Sequence, residues 1–181
     1  MKDTLTFTGE IEQKSYSTDK LISQFDNWNS LSDTEKLDKL RSVESDDSET
    51  VFNVTTTNFH EYLVDSLDPS QTRNLDVQYV ALGTDSGSGT SVSDTSLNNE
   101  VFTKQITDET DNGTELLTST FVASDEANGE TLNEIGVYTG DPANSDSDND
   151  IFLINHATFS DVVKDSNRTI TFDVTLTFSD Q

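Results

Sequence analysis

The sequence predicts a mainly β protein: an antiparallel β-sandwich or open barrel, with an N-terminal strand, a two-helix extension and one further short helix. Three observations carry this. Phe172, Val174, Leu176 and Phe178 stand two residues apart, the period of a half-buried strand. From residue 75 onward, short runs of this kind alternate with segments rich in Gly, Asn, Asp and Ser, the residues that turns require. At 181 residues the chain is long enough to bury a real core as one ordinary domain with a small appendage.

In chain order, Leu5, Phe7, Gly9 and Ile11 alternate with Thr6, Thr8, Glu10 and Glu12, which predicts the first strand. Leu21, Ile22, Phe25 and Trp28 fall on one helical stripe. Ser32-Asp33-Thr34-Glu35 has the spacing of a capping box, and Lys39 and Arg41 in the last turn suit the helix dipole. Leu37, Leu40 and Val43 give that second helix its buried side, and Ser45 to Ser48 reads as a loop. Val51, Phe52 and Val54 form a strand leading into a helix over Asn58–Leu67, with Asn58 as cap and Pro69 as stop. Candidate strands follow at Leu75–Leu82, Glu100–Thr107, Glu115–Ala123, Glu134–Tyr138, Ile151–Phe159 and Thr169–Phe178. The segments between them, Asp108 to Gly113 included, read as turns. The division this suggests is 1–48 for the strand and helical extension and 49–181 for the sandwich.

Composition then narrows the function. Asp and Glu total 35 against 10 Lys and Arg, a formal charge of -25. Nucleic acid is bound by neutralising phosphates with cations, so this chain is expected to bind none, and anionic membrane surfaces are disfavoured for the same reason. No stretch has the length of a membrane helix, and Met1 to Thr6 lacks the apolar core of a signal peptide, so the chain reads as soluble. Asp supplies 23 of the 35 acids, and Ser, Thr and Asn fill most of the remaining surface, a composition similar to that of proteins from halophilic archaea. The physical reason is screening: at 1 M salt the Debye length falls to about 3 Å, which largely switches off self-repulsion. With no Cys, disulfides and thiolate metal sites are excluded together.

Four stretches carry a family resemblance. Tyr79-Val80-Ala81-Leu82-Gly83-Thr84 and, past a Gly/Ser loop, Asp94-Thr95-Ser96-Leu97-Asn98-Asn99-Glu100-Val101 resemble an "ALGTG … DTxLxNEV" signature. Ala127-Asn128-Gly129-Glu130-Thr131-Leu132-Asn133-Glu134-Ile135-Gly136-Val137-Tyr138 is similar to "ANGxTIxEIGLF", and Ile151 to Phe159 with Val163-Lys164-Asp165 to "LFARAxFxxxxK". Val54 to Phe59 fits the corresponding "VTNxG" start less well. The stretches so resembled belong to small virion proteins of tailed viruses, found as tail-collar or tail-fibre N-terminal modules or as free-standing virion proteins. The likeness covers about residues 50 to 178. Thr103 replaces a frequent Arg, and Val137-Tyr138 replaces Leu-Phe.

The resemblance implies a non-enzymatic structural component of a haloarchaeal tailed virus. It would sit in the tail, baseplate or fibre attachment, assembled as a symmetric homo-oligomer beside other virion proteins. A capsid decoration or turret is the alternative, and an acidic cell-surface adhesion module is the rival from another class. Gly83, Thr84, Asp94, Leu97, Glu100, Asn128, Gly129, Glu134, Ile135, Gly136 and Lys164 are the motif positions that would serve assembly. Read from the residues themselves, Gly83, Gly87 and Gly89 allow a tight loop. Glu134 reads as a carboxylate fixed by backbone donors at a strand edge or as an intersubunit contact, and Gly136 as a bulge or close backbone approach. Leu21, Phe25 and Trp28 are expected to dock the first helix, on this chain or on a neighbour.

Catalytic and metal chemistry find little support in the sequence. His60 and His156 both read as structural, and Gly87-Ser88-Gly89 is neither a phosphate loop nor a dinucleotide fingerprint. Asp146, Asp148 and Asp150 begin like a calcium loop. Ile151 then stands where the turn glycine belongs and Ala157 where the bidentate Glu belongs, which leaves Ca2+ a weak candidate and no cofactor expected. Sequons at Asn53, Asn112 and Asn167 are expected by chance in so Asn- and Thr-rich a chain.

Overall fold

The computed structural model describes residues 5–66, 68, 76–85, 87–140, 142 and 151–180. Ten strands and three helices follow one another: β1 (Leu5–Ser17), α1 (Thr18–Gln24), α2 (Asp33–Leu40), β2 (Asp47–Phe52), β3 (Val54–Thr55), α3 (Thr57–Ser66), β4 (Tyr79–Gly83), β5 (Glu100–Gln105), β6 (Asp108–Asp111), β7 (Glu115–Val122), β8 (Thr131–Tyr138), β9 (Leu153–Val163) and β10 (Arg168–Asp180). They form two antiparallel five-stranded sheets, one in the order β2-β1-β10-β7-β6 and the other in the order β3-β9-β8-β4-β5. This is the predicted β-sandwich.

Alternation decides which side chains meet. β1 and β10 pair along their full length, from Leu5 opposite Asp180 to Ser17 opposite Arg168, and this register puts Ile11 beside Val174. Ile11, Ile170, Phe172, Val174 and Leu176 of the first sheet pack against Val80, Leu82, Ile135, Val137 and Ile154 of the second, forming the core between the layers. Residues one step out of phase face the opposite way. On the first sheet, Tyr16 and Phe121 receive Leu21, Trp28 and Leu40 from the helical segment, with Phe25, Leu31 and Val43 at the margin. On the second sheet, Ala81, Tyr138 and Leu153 receive Leu97 from the loop between β4 and β5.

Several expectations are corrected. β1 lies between β2 and β10 within a sheet, so residues 5–17 are part of the sandwich, and the helices between β1 and β2 pack on its outer side. The first helix ends at Gln24. Phe25 turns extended (φ -125°, ψ 102°), and Trp28 opens a separate 3₁₀ turn, Trp28–Ser30, so Leu21 and Trp28 reach one cluster without sharing a helix. The segment Asp108 to Gly113, expected as a turn, contains β6. An edge strand needs only backbone pairing on one side, and its polar side chains stay in solvent. The third helix is capped by Thr56, whose hydroxyl accepts the Phe59 N–H at 3.3 Å, and not by Asn58, which lies inside it. Leu67, Pro69 and Leu75 lie outside the described residues. The second helix forms as expected: Ser32 Oγ accepts Glu35 N–H at 3.3 Å while Glu35 Oε2 accepts Ser32 N–H at 2.8 Å.

Candidate functional site

Five of the motif positions, Gly83, Asp94, Leu97, Glu134 and Gly136, gather on the outward face of the second sheet. β8 is an interior strand there, flanked by β9 and β4, and it presents Glu134, Gly136 and Tyr138 on one side while Ile135 and Val137 enter the core. The chain leaving β4 at Gly83 and Thr84 crosses this face and returns at Glu100, where β5 begins. Thr84 N–H donates to the Asn99 carbonyl at 3.0 Å, which closes the base of the loop.

Two glycines make the crossing sterically possible. A Cβ on Gly83 would meet the Asn99 carbonyl oxygen at 2.7 Å as well as the Glu134 carboxylate. A Cβ on Gly136 would meet Leu97 Cδ2 and Leu153 Cδ1, each at 2.8 Å. Gly136 is thus a close approach and not a bulge, since the β8–β9 irregularities fall at Leu132/Glu134 and Val137/Tyr138.

Glu134 organises the polar part. Its side chain is fully buried; Oε1 accepts Asn99 N–H at 2.9 Å and Oε2 accepts Asn98 N–H at 3.0 Å. Such backbone donors suit an anion, because charge-assisted bonds are about twice as strong as neutral ones. Oε2 also lies 2.9 Å from His156 Nε2 on neighbouring β9, and His156 Nδ1 lies 2.7 Å from Asp94 Oδ2. Asp94 in turn accepts Ser91 N–H at 2.7 Å. Tyr138 Oη accepts Leu97 N–H at 3.2 Å, and burial pushes that phenol well above the ordinary tyrosine range. Asp85 receives Ser88 and Gly89 N–H at 2.8 and 3.0 Å, which hold its carboxyl below the usual range, and its own N–H donates to Asn133 Oδ1 at 2.6 Å.

A second cluster lies beyond the other end of the β8–β9 pair. The fully buried Lys164 donates from Nζ to Asn128 Oδ1 at 3.0 Å, to the Asp165 carbonyl at 3.1 Å and to the Ser124 carbonyl at 3.3 Å. Gly129, at φ +94°, donates its N–H to the Lys164 carbonyl at 3.0 Å. Burial lowers the Lys164 pKa, with the nearby acids Asp165, Glu126 and Asp125 opposing that shift.

Gly83, Asp94, Leu97, Glu134 and Gly136 are therefore brought together, Thr84 closes the loop base, and Asn128, Gly129 and Lys164 form the second cluster. Ile135 belongs to the core, and Glu100 is exposed at the start of β5. Leu21, Phe25 and Trp28 pack against their own chain. Backbone donors fix Glu134 as expected, from within β8, an interior strand of the sheet. The sequence reading placed His156 as structural but missed that it joins Asp94 to Glu134; the available signal was a histidine amid the apolar run from Ile151 to Phe159.

Chemically, the arrangement anchors a loop. Both ring nitrogens of His156 are taken up by carboxylates and the ring has no solvent exposure, so its bonding capacity is used within the fold. Among the described residues, no three His, Asp or Glu side chains are placed to hold a metal ion. Asp146, Asp148 and Asp150 lie outside the described residues. Several of the scarce cations are engaged too. Lys14 pairs with Glu12 and Asp173, Arg41 with Asp38 and Asp108, and Lys104 with Asp33 and Glu126. The first two line a cleft of about 560 Å³ between α2 and the first sheet.

Fold and site together define an antiparallel two-sheet β-sandwich with a loop bracketed onto one outer face. No protein-family model matches the chain, and no curated protein or solved structure does either.

Proposed function

We propose that this protein is a structural component of the particle of a haloarchaeal tailed virus, made in the host cytoplasm, without catalytic activity or cofactor. It acts by assembling with itself and with other virion proteins. Tail, baseplate or fibre attachment is the preferred position. The observation that supports this is the convergence of the motif positions: Gly83, Asp94, Leu97, Glu134 and Gly136 come from separate stretches of the resemblance yet make one packed unit. The ion-paired state of Lys14, Arg41 and Lys104 supports protein partners over phosphate-bearing ones. Among the described residues, no helix is long and apolar enough to cross a membrane.

The mechanism is mechanical. Rigid sandwiches present loops and sheet edges to neighbours, and closed symmetry multiplies individually weak contacts. The test is the absolute mass of the purified chain by light scattering in about 2–3 M KCl, where charge is screened, together with its sedimentation with purified virus particles. A discrete ring or trimer that co-sediments with particles supports the proposal. A monomer found in cell envelopes free of virus supports the adhesion reading instead.

A further inference from the structure

The outer face of the first sheet is only half covered by its own chain. Near Tyr16 and Phe121 it carries the helical segment, residues 18–46. Toward the other end of β1 and β10, the register lines up Phe52, Glu10, Thr175, Leu117 and Thr110 in one row across all five strands. The next row is Thr8, Thr177 and Glu115. Directly opposed residues share a face, and the alternate phase, Ile11, Val174 and Leu176, lies in the core, so these rows point outward. An outward face is expected to be polar. Phe52 is nevertheless 79% exposed, the highest value for a large apolar side chain among the described residues, and Leu117 is 36% exposed. A hollow of about 290 Å³ lies between Phe52 and Glu115.

Charge narrows what fits there. The two rows contain Glu10 and Glu115 and no Lys or Arg, so the complement is a surface that is apolar and comparatively rich in cations. The chain itself supplies one. Residues 18–46 hold Lys20, Lys36, Lys39 and Arg41, four of the ten cations of the whole sequence. Ile22 of α1, two residues from Lys20, is 40% exposed. The same segment already seats on the covered half of this face, where Lys36 Nζ stands 5.6 Å from the centre of the Phe121 ring, a cation over an aromatic.

We infer that the bare half of this face is the seat for the helical segment of a second copy, with Ile22 of one chain against Phe52 of the other and the segment's lysines toward Glu10 and Glu115. This deepens the proposed self-assembly by naming its contact; it rests on that part of the reading and not on the viral one. Repulsion between two such acidic chains is screened in high salt, where the Debye length is about 3 Å at 1 M. The bare rows span five strands at about 4.8 Å spacing and are two deep. One contact is therefore smaller than the roughly 800 Å² per partner of a standard interface and gains strength by repetition. Seat and segment are different surfaces, so successive copies close a ring, and reciprocal use closes a pair.

The chain has no cysteine, so single thiols can be placed cleanly. Full-length Ile22→Cys and Phe52→Cys chains are mixed in about 2–3 M KCl, where charge is screened, and treated with a short bismaleimide. Val163→Cys, an exposed position on the second sheet, replaces Phe52→Cys as the collision control. Ile22→Cys should join Phe52→Cys about tenfold more than it joins Val163→Cys, the ratio that about 1.4 kcal/mol of specific contact gives. Adding Leu117→Asp to the Phe52→Cys chain should return the yield to the control level. All these positions are exposed, so the variants keep the fold. A yield no higher than the control from chains that light scattering shows to be oligomeric overturns this seat and leaves self-assembly standing. Monomers at every concentration, with no excess crosslink, overturn both.

Discussion

Glu134 and His156 sit on adjacent strands with no solvent exposure, Oε2 and Nε2 2.9 Å apart, and the same carboxylate receives the backbone N–H groups of Asn98 and Asn99. One side chain thereby fixes a neighbouring strand and a loop that arrives from 35 residues away in sequence. Replacing Glu134 with Ala leaves three donors facing a dry site. Stability should fall by at least about 1–3 kcal/mol, the cost of leaving a buried hydrogen-bonding group unsatisfied. Glu134→Gln, which keeps the shape and one acceptor, should lose less. Denaturant unfolding at constant salt measures both.

Trp28 stands in the cluster under the helical segment, its ring 6.2 Å from that of Phe121 and stacked 5.9 Å from that of Phe25. Lys36 lies over both Trp28 and Phe121. Trp28→Ala should cost about 3–5 kcal/mol, as large-to-small changes at buried aromatics do. Because these contacts are within the chain, the solution mass by light scattering should not change in variant chains that remain folded.

The layer between the sheets holds polar groups with no hydrogen-bond partner among the described residues: Gln13 Nε2, Thr118 Oγ1, Thr120 Oγ1 and the amide of Asn155. Thr120 pairs with Phe172 across β7 and β10, on the core side of the sheet. Exchanging its hydroxyl for a methyl group conserves shape and removes a buried unsatisfied group, for which the desolvation penalty is about 1–3 kcal/mol. Thr120→Val should accordingly be neutral or raise the thermal midpoint. A fall by several degrees would mean that this hydroxyl has a bonding partner.

Alkaline titration should separate the tyrosines. Burial is the main cause that raises both Tyr16 and Tyr138, so in the folded chain these two should ionise after an ordinary tyrosine would. A folded-state value above the unfolded one means the native state keeps a proton that the unfolded chain loses. Stability from these groups is therefore complete below about pH 10, the unperturbed value, and declines as pH rises beyond it. Tyrosinate absorbance should show late-ionising residues, and unfolding in denaturant should abolish the lag.

Much of the fold is legible in the sequence because its physics is local. The period of two in Phe172, Val174 and Leu176 states that one face of β10 is buried, and Ser32 with Glu35 encodes a cap through atoms three residues apart. The turn residues between strands likewise need only their own backbone. These features pointed to an antiparallel sandwich or open barrel with helices near its start, and the charge of -25 determined its acidic surface.

Tertiary structure decided what depends on partners distant in sequence. Alternation says that a strand has a buried face but not which strand lies beside it, so the place of β1 between β2 and β10 could not be read from residues 5–17. The Asp-Glu-Thr-Asp of β6 carries no strand signal, because pairing with β7 through one edge of the backbone suffices to hold it. Trp28 reached its cluster through a break in the helix that the apolar stripe had concealed. The meeting of Asp94, Glu134 and His156 arises from contacts spanning 22 and 62 residues. A buried carboxylate and imidazole become a site only when folding excludes water from both and leaves each as the other's hydrogen-bond partner.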